Sequence, residues 1–183
     1  MISSPSKHKG RQIIFILKAW ALAFLILCAP LLGGDTSKIP QKQFITWDQF
    51  HEDTLALVEE IKKQGPWDGI VAITRGGLIP AGILSHALNI KIIDTLGISS
   101  YDEETNIKTS KFKILKKARA KEGKWLIVDD LVDTGDTADI VKEMIPDGFF
   151  VAIYAKPKGE HSANLFGKKI PQDIWVVFPW EKD

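Results

Sequence analysis

The stretch WLIVDDLVDTGDTA, residues 125–138, decides the fold of this chain. It opens with four apolar residues, which predict a buried strand, and two adjacent carboxylates, Asp129 and Asp130, end that strand. A short loop of Asp, Thr and Gly residues follows, and a helix is predicted to begin at Thr137. Backbone N–H groups at the start of a helix bind phosphate, with help from the helix dipole. The order of these features therefore predicts a site for a sugar phosphate.

The side chains around this loop fit the same interpretation. Gly135 allows the backbone to close on an anion, and the hydroxyl groups of Thr134 and Thr137 add donors. The carboxylates just upstream can accept hydrogen bonds from ribose hydroxyls or hold a hydrated Mg²⁺ ion. The alternative is a solvated acidic turn before an N-capped helix, which a shorter match would favour. The chain has neither a Walker A loop nor a dinucleotide-binding glycine fingerprint.

The composition argues against several other classes of protein. The 183 residues carry a net charge of +1, which does not favour nucleic-acid binding by a broad basic surface. The single cysteine, Cys28, excludes an intramolecular disulfide framework and a cysteine-rich metal site. The four histidines lack metal-ligand spacing, so no catalytic zinc site is predicted.

Strands and helices alternate along the rest of the chain, which predicts a parallel α/β sheet. Apolar runs predict strands at 68–73, 90–96, 112–117, 125–128 and 149–155. Helical patterns cover 46–64, 80–88 and 137–145. The polar residues 102–110 are predicted to form a loop, and 159–183 to fold without a helix as a cap over the site. Open α/β sheets bind ligands at the carboxyl ends of their strands, so Asp129 and Asp130 should lie in that site.

Four further motifs occur in order on either side of the opening stretch. They are ITRGGLIP (73–80), ISSYD (98–102), AKP (155–157) and PQDIWVVFPW (171–180). Together with residues 125–138 they resemble the type I phosphoribosyltransferases, in the xanthine–guanine branch, over residues 44–181. The resemblance implies the type I fold, a mostly parallel central sheet flanked by helices, with a small C-terminal hood.

The same resemblance implies an enzyme of purine salvage. It would transfer the 5-phosphoribosyl group from phosphoribosyl diphosphate to N9 of a 6-oxopurine, which is guanine, xanthine or hypoxanthine, and release diphosphate. The resemblance further implies Mg²⁺ as cofactor and a homo-oligomer, a dimer or a tetramer. A rival interpretation is a regulatory protein that uses this fold to sense phosphoribosyl diphosphate, but the net charge gives no sign of the basic face it would need.

The resemblance also assigns the residues that bind phosphoribosyl diphosphate. The diphosphate is assigned to Arg75, Gly76 and Gly77, after a peptide bond, Thr74–Arg75, that can be cis in the family. Asp129 and Asp130 would hold the ribose hydroxyls and Mg²⁺, with Asp130 as the metal ligand. The 5′-phosphate would bind in the loop formed by Asp133, Thr134, Gly135, Asp136 and Thr137.

Two positions depart from the family pattern. Asp136 replaces a glycine, and an acid there would repel the phosphate unless its side chain points away. The loop 102–113 lacks the arginine that folds over the diphosphate, and its nearest cations are Lys108 and Lys111. Either lysine could neutralise phosphate without making the bidentate contact of an arginine. The alternative for this loop is a solvated lysine-rich surface.

The purine is assigned to four residues. Asp133 would lie near purine N7 and stabilise or accept the proton lost as N9 attacks, which is general-base chemistry. Lys156 would donate to the 6-oxo group and so reject adenine, which carries an amino group there. Trp175 would stack on the purine, and the backbone of Val176 would read its edge. The alternatives are a loop-capping aspartate at Asp133 and a core side chain at Trp175.

Residues 1–42 form a separate unit in the sequence, and residues 43–183 form the predicted enzyme domain. Residues 13–32 are apolar except for Lys18, long enough to span a bilayer, and follow three basic residues. One explanation is a start codon placed too far upstream; another is an anchor holding the domain at the cytoplasmic face of the inner membrane; a third is export. Substrate chemistry favours the cytoplasm, and a chain beginning near Gln43 is expected to be soluble and fully active.

Overall fold

The computed structural model of the protein describes residues 40–101, 108–120 and 122–181. Its strands, in chain order, are β1 (Lys42–Phe44), β2 (Gly69–Thr74), β3 (Ile93–Tyr101), β4 (Lys108–Lys116), β5 (Trp125–Val132), β6 (Phe149–Ala155), β7 (Leu165–Lys169) and β8 (Trp175–Val177). Its helices are α1 (Trp47–Leu55), α2 (Val58–Gln64), α3 (Leu78–Leu88) and α4 (Asp136–Met144), with a 3₁₀ turn at Glu160–Ser162.

The main sheet has six strands in the order β4-β3-β2-β5-β6-β7. Its neighbouring strands pair in parallel except at one edge, where β4 runs antiparallel to β3. The mostly parallel central sheet and flanking helices that the sequence predicts are therefore confirmed. The strands β2, β5 and β6 stand at its centre, and their carboxyl ends lead into the loops that form the candidate site.

The central strands are continuous apolar runs because both of their faces are buried. In β2, Ile70 and Ala72 point to one core layer, whereas Val71 and Ile73 point to the other. The first layer includes buried side chains of α1, α2 and α3, and the second includes those of α4. This two-sided burial fixes the register of the sheet and, with it, the place where each strand ends.

Several boundaries differ from the sequence predictions. The strand β3 spans Ile93–Tyr101 instead of 90–96, and β5 continues to Val132 instead of ending at 128. The single helix predicted over 46–64 is two helices, because a turn at Ala56 and Leu57 separates α1 from α2. Residues 108–110, predicted as loop, begin the edge strand β4, while 102–107 lie outside the described residues. Residues 159–183 do not all form a cap, because β7 adds to the edge of the main sheet beside β6. Alternation of polar and apolar residues is weak in both edge strands, so their bounds are hard to predict from sequence.

A second sheet of two strands joins the two ends of the described chain. β1 pairs in parallel with β8, with Lys42 opposite Trp175 and Phe44 opposite Val177. Trp175 N donates to Gln41 O at 2.8 Å, and Ile45 N donates to Val177 O at 3.0 Å. The compact unit that contains both sheets begins at Pro40. Residues 41–45 therefore hold in place the strand that carries Trp175 and Val176.

An aromatic cluster packs the end of the chain onto the main sheet. The rings of Phe178 and Trp180 stack at 4.8 Å, and both meet Phe50 of α1 edge-on. Below them Tyr154 of β6 donates to Asp53 Oδ2 at 2.7 Å. The C-terminal hood, which contains β8, Phe178 and Trp180, therefore packs against α1 and β6, two elements of the core. None of the helices among the described residues is long and apolar enough to span a membrane, and segment 13–32 lies outside those residues.

Candidate active site

A cleft of about 320 Å³ lies at the carboxyl ends of β5 and β6, under β8. This is the edge at which open α/β sheets bind ligands. The residues assigned from sequence that line it are Asp129, Asp130, Asp133, Thr134, Gly135, Asp136, Thr137, Lys156, Trp175 and Val176. One concave surface therefore brings together residues that span the chain from the end of β5 to the hood.

The acidic pair lies within β5, which continues two residues beyond it to Val132 instead of ending at the carboxylates as the sequence predicted. Both side chains are part-buried. Burial raises the pKa of the Asp129 carboxyl well above its usual value, and the charge of Asp130 raises it further. Burial likewise raises the pKa of Asp130, and the carboxylate of Glu181 adds to the effect. The charged forms of both groups are thus disfavoured in this environment, and a bound cation would stabilise them.

The loop after β5 turns sharply at Gly135. This residue has φ +95°, a left-handed conformation that favours glycine, and it is the N-cap of α4. A Cβ atom added there would lie 2.4 Å from Ser162 Oγ, and one added at Gly159 would lie 2.9 Å from Gly135 N. The loop therefore rests directly on the turn that follows β6. The first N–H groups of α4 have no partner within the helix and are available to an anion in the cleft.

Asp136 is the first residue of α4, one position before the predicted helix start at Thr137. Its side chain is exposed, and its Oδ2 accepts a hydrogen bond from Thr134 Oγ1 at 2.7 Å. The carboxylate that departs from the family pattern is therefore directed at a loop hydroxyl. That contact uses the Thr134 proton, which the sequence assigned to a phosphate.

The Arg75–Gly77 turn lies between β2 and α3, beside the lining of the cleft rather than in it. The peptide bond between Thr74 and Arg75 is cis, as the resemblance implied. A Cβ atom added at Gly76 would lie 2.2 Å from Asp130 Oδ2, and one at Gly77 would lie 2.2 Å from Val128 O. Both glycines are therefore needed for close packing against β5, and Gly76 places this turn next to the acidic pair.

On the other side of the cleft, Asp133 and Lys156 contact each other. Lys156 directly follows β6 and is 6 % exposed, and its Nζ lies 3.3 Å from Asp133 Oδ2. The other oxygen of Asp133, Oδ1, accepts a hydrogen bond from Gln172 Nε2 at 2.7 Å. A buried cation, a carboxylate and an amide thus form one connected polar group.

The hood supplies the apolar wall of the cleft. Trp175 is 52 % exposed, so it is not the core side chain that the alternative interpretation required. Val176 and Phe178 beside it are buried and line the cleft. An exposed indole beside a buried lysine and a carboxylate can offer a flat ligand a stacking surface and polar contacts at its edge.

Sequence reasoning missed several residues of this site, among them Gln172, Glu181 and Phe112. Gln172 and Glu181 approach Asp133 and Asp130 only through the folded hood, and Phe112 of β4 lines the cleft from the sheet edge. Gln172 belonged to a motif that carried the resemblance, which was the one signal available. The side chains of Lys108 and Lys111 lie outside the described part of the chain, so their assignment stays a prediction.

Comparisons with known proteins identify the family. The phosphoribosyl transferase domain family matches residues 43–147. The chain belongs to this family. It is 43% identical over 139 residues to a xanthine-guanine phosphoribosyltransferase of Nitratidesulfovibrio vulgaris, which covers 76% of this chain and 84% of that protein. A xanthine-guanine phosphoribosyltransferase of Desulfotalea psychrophila is 44% identical over 139 residues and covers 76% and 86%.

The fold agrees with a solved member of the family. A purine phosphoribosyltransferase from Pyrococcus horikoshii has a similar structure, with a TM-score of 0.67 and 29% sequence identity. The likeness covers 78% of this chain and 95% of that chain. The protein is thus a phosphoribosyltransferase enzyme with the type I fold, and the resemblance drawn from its motifs is confirmed.

Proposed function

We propose that this phosphoribosyltransferase acts in purine salvage, transferring the 5-phosphoribosyl group of phosphoribosyl diphosphate to N9 of guanine, xanthine or hypoxanthine. The observation that carries the proposal is the pairing of buried Lys156 with Asp133 in the cleft that also contains the acidic pair and the loop 133–137. A donor for a 6-oxo group and an acceptor for a purine proton stand side by side. The curated relatives that bear the name xanthine-guanine phosphoribosyltransferase support the same acceptor.

The purine is recognised by groups that can only donate or only accept a hydrogen bond. A lysine ammonium has three donors and no acceptor, so Lys156 suits the 6-oxo group and leaves the 6-amino group of adenine without a partner. An unpaired buried polar group is unfavourable, which gives strong discrimination between the two bases. Trp175 supplies a face on which the purine stacks. The backbone of Val176, which Gln43 opposes across the small sheet, reads the purine edge.

The reaction forms one bond and breaks one. N9 attacks C1′ of the ribose, and the C1′–O bond to diphosphate breaks with its electrons leaving on the diphosphate oxygen. The purine N7 proton becomes acidic as positive charge develops on the ring, and Asp133 accepts or stabilises it. The cleft holds both reactants so that N9 faces C1′, and this orientation supplies a large part of the rate enhancement.

The opposite side of the cleft binds the sugar phosphate. The start of α4 and the backbone of 133–137 receive the 5′-phosphate, because helix N-termini favour anions. Asp129 and Asp130 accept hydrogen bonds from the ribose hydroxyls. Arg75, Gly76 and Gly77 bind the diphosphate. Gly76 packs closely against Asp130, which supports a diphosphate site next to the ribose site. Lys108 and Lys111 are the candidates for a cation that covers the diphosphate.

A Mg²⁺ ion fits the acidic pair. Burial raises the pKa of both carboxyl groups; the charge of Asp130 adds to this effect at Asp129, and the charge of Glu181 adds to it at Asp130. A divalent cation would offset these effects. Among the described residues there is no cluster of three or more metal-binding side chains. Asp130 would be the protein ligand, as the resemblance implies, and Mg²⁺ usually keeps several waters and binds substrate phosphates beside one or two carboxylates. When bound, the ion supplies Lewis-acid stabilisation of the departing diphosphate.

The cellular setting follows from the substrates, which belong to the cytoplasm. A homo-oligomer, dimer or tetramer, stays a prediction from the family, as does the absence of a nucleic-acid partner. For residues 13–32, attachment to the cytoplasmic face of the inner membrane, a start codon placed too far upstream and export stay as alternatives. Fractionation of cells that express the full chain, followed by N-terminal sequencing of the enzyme, separates them.

The acceptor is tested with a spectrophotometric assay of the full chain, phosphoribosyl diphosphate and Mg²⁺. Guanine, xanthine, hypoxanthine and adenine are compared at equal concentration. Conversion of the 6-oxopurines and not of adenine is expected. Adenine turnover comparable to that of guanine would refute the role of Lys156. Tight binding of phosphoribosyl diphosphate with no turnover of any base would favour the sensor interpretation instead.

A further inference from the structure

We propose that Gln172 is a positioning residue for the purine, because it holds Asp133 in the orientation that receives the N7 proton. This inference rests on the proposed function. The direct observation is the 2.7 Å hydrogen bond from Gln172 Nε2 to Asp133 Oδ1, between the hood and the loop after β5. Asp133 and Gln172 are 39 residues apart in sequence, so the contact exists only in the folded chain.

The orientation of the Gln172 amide is fixed from its other end. Its Oε1 accepts a hydrogen bond from the backbone N–H of Lys158 at 3.0 Å. A backbone N–H can only donate, so the oxygen of the amide must face Lys158 and its NH₂ group must face Asp133. The side chain therefore presents a donor to the carboxylate and cannot present an acceptor.

The two oxygens of Asp133 have separate partners, and this separation assigns their roles. Oδ1 is held by Gln172, whereas Oδ2 lies 3.3 Å from Lys156 Nζ. The N7 and 6-oxo atoms are neighbours on one edge of a 6-oxopurine, as Oδ2 and Nζ are neighbours in the cleft. Lys156 turns to the 6-oxo group when the purine binds, which releases Oδ2 to N7.

Gln172 keeps Asp133 in place during this exchange. The Asp133 side chain is 42 % exposed, so packing alone does not fix it. Lys156 and Gln172 are the two described side chains that donate to Asp133. Once Lys156 donates to the purine, Gln172 still donates to the carboxylate. Other charged groups line the cleft, namely Asp129, Asp130, Asp136 and Glu181, and all are acids. They would repel a carboxylate that is not held.

Two variants of Gln172 separate its two hydrogen bonds. Gln172→Glu retains an oxygen that accepts from Lys158 N–H but replaces the donor to Asp133 with a second acceptor. Gln172→Leu removes both contacts at similar volume. Lys158→Ala is the matched control, because its side chain is exposed and its backbone N–H is unchanged. Thermal unfolding of all four proteins, full-length in each case, checks that the fold is retained.

The measured quantity is the ratio of the dissociation constants of two purine analogues that differ at N7. 9-Deazaguanine carries a hydrogen on N7, whereas 7-deazaguanine has a C–H group in place of N7. Both retain the 6-oxo group and the stacking face. Dissociation constants measured with phosphoribosyl diphosphate and Mg²⁺ present give a ratio that reports the Asp133–N7 contact. A role confined to folding would weaken both analogues equally.

We expect the preference for 9-deazaguanine to fall about 10-fold or more in both Gln172 variants, because the contact is a hydrogen bond to a charged group. The ratio should stay at the wild-type value in Lys158→Ala. A loss in Gln172→Leu with a wild-type ratio in Gln172→Glu would overturn the proposal, since the bond to Lys158 would then be the one that matters. A wild-type ratio in both variants would overturn it as well. Absence of 6-oxopurine turnover by the wild-type enzyme would instead refute the proposed function.

Discussion

Lys156 and Asp133 form an ion pair on one side of the cleft, with Nζ 3.3 Å from Oδ2. The lysine is 6 % exposed, and the aspartate side chain is 42 % exposed. Each partner has a separate task in the proposed reaction, one at the 6-oxo group and one at N7. Their contact neutralises a buried cation, and it places the proposed donor and acceptor side by side.

Lys156→Met should lower kcat/KM for guanine about 10- to 100-fold, since it removes a charged donor to the 6-oxo group at similar side-chain length. The KM for phosphoribosyl diphosphate should change little, because Lys156 lies on the purine side of the cleft. Initial rates at varied concentrations of both substrates separate the two effects. Lys158→Met, an exposed position in the following turn, is the control. An equal rise in the KM values for guanine and phosphoribosyl diphosphate would show that Lys156 supports the structure of the whole site and does not contact the purine specifically.

Asp133→Ala should reduce kcat roughly 10²–10⁴-fold if the residue acts as general base. Steady-state kinetics with hypoxanthine measure the loss, and equilibrium binding of phosphoribosyl diphosphate checks that the loop is intact. Asp139→Ala is a suitable control, because that carboxylate is exposed on the first turn of α4 and does not line the cleft. A near-wild-type rate in Asp133→Ala would assign the proton to solvent.

The sequence predicts the centre of this molecule better than its edges. Residues 149–155 form a strand with the predicted bounds, because both faces of β6 are buried and the apolar run is unbroken. The strand β4 alternates less clearly, and its first residues were assigned to a loop. At the site, the run of residues 125–138 gave the acidic pair and the turn at Gly135. Gln172 and Glu181 could not be found in this way, because their partners are set by how the hood folds back.

Asp136→Asn should lower the KM for phosphoribosyl diphosphate. The exposed carboxylate accepts from Thr134 Oγ1 at 2.7 Å, next to the backbone assigned to the 5′-phosphate. Removing its charge relieves repulsion of about 1 kcal/mol at 4 Å in water, which corresponds to a change of a few fold. Kinetics at low ionic strength measure it, and the gain should shrink in high salt. Asp139→Asn removes the same charge three residues further along α4, outside the lining of the cleft, and should have a smaller effect. A higher KM in Asp136→Asn would show that the carboxylate orders Thr134 for binding.

Gly135→Ala should destabilise the fold and raise the KM for phosphoribosyl diphosphate. The residue has φ +95°, and a Cβ atom there would meet Ser162 Oγ at 2.4 Å. The left-handed conformation alone disfavours alanine by about 1–2 kcal/mol. Urea denaturation gives the change in unfolding free energy. Gly82→Ala in α3 is the matched control, since a Cβ atom there meets nothing within 4 Å and should stabilise the helix by about 0.5–1 kcal/mol. Equal behaviour of the two variants would contradict the strained-loop account.

Removal of residues 1–39 should leave kcat and both KM values unchanged, because the compact unit with both sheets begins at Pro40 and every assigned residue follows it. A chain that begins at Ile45 should bind purines about 10-fold more weakly. It lacks the Gln41 carbonyl that accepts from Trp175 N, together with all of β1. The chain that begins at Gln43, for which the sequence alone predicts full activity, should instead fall between these two, since it retains Phe44 opposite Val177 but loses Lys42 opposite Trp175.

The three chains therefore form a graded series. The chain from Pro40 contains the whole of β1 beside β8, the chain from Gln43 contains part of β1, and the chain from Ile45 contains none of it. Guanine binding should weaken along the series, while binding of phosphoribosyl diphosphate stays constant, because its loop rests on the turn after β6 and not on β8. Isothermal titration with each substrate measures the two constants separately. Parallel loss of both would show that β1 supports the fold as a whole. A chain from Ile45 with wild-type guanine affinity would show instead that the aromatic cluster at Phe178 and Trp180 is sufficient to position the purine wall.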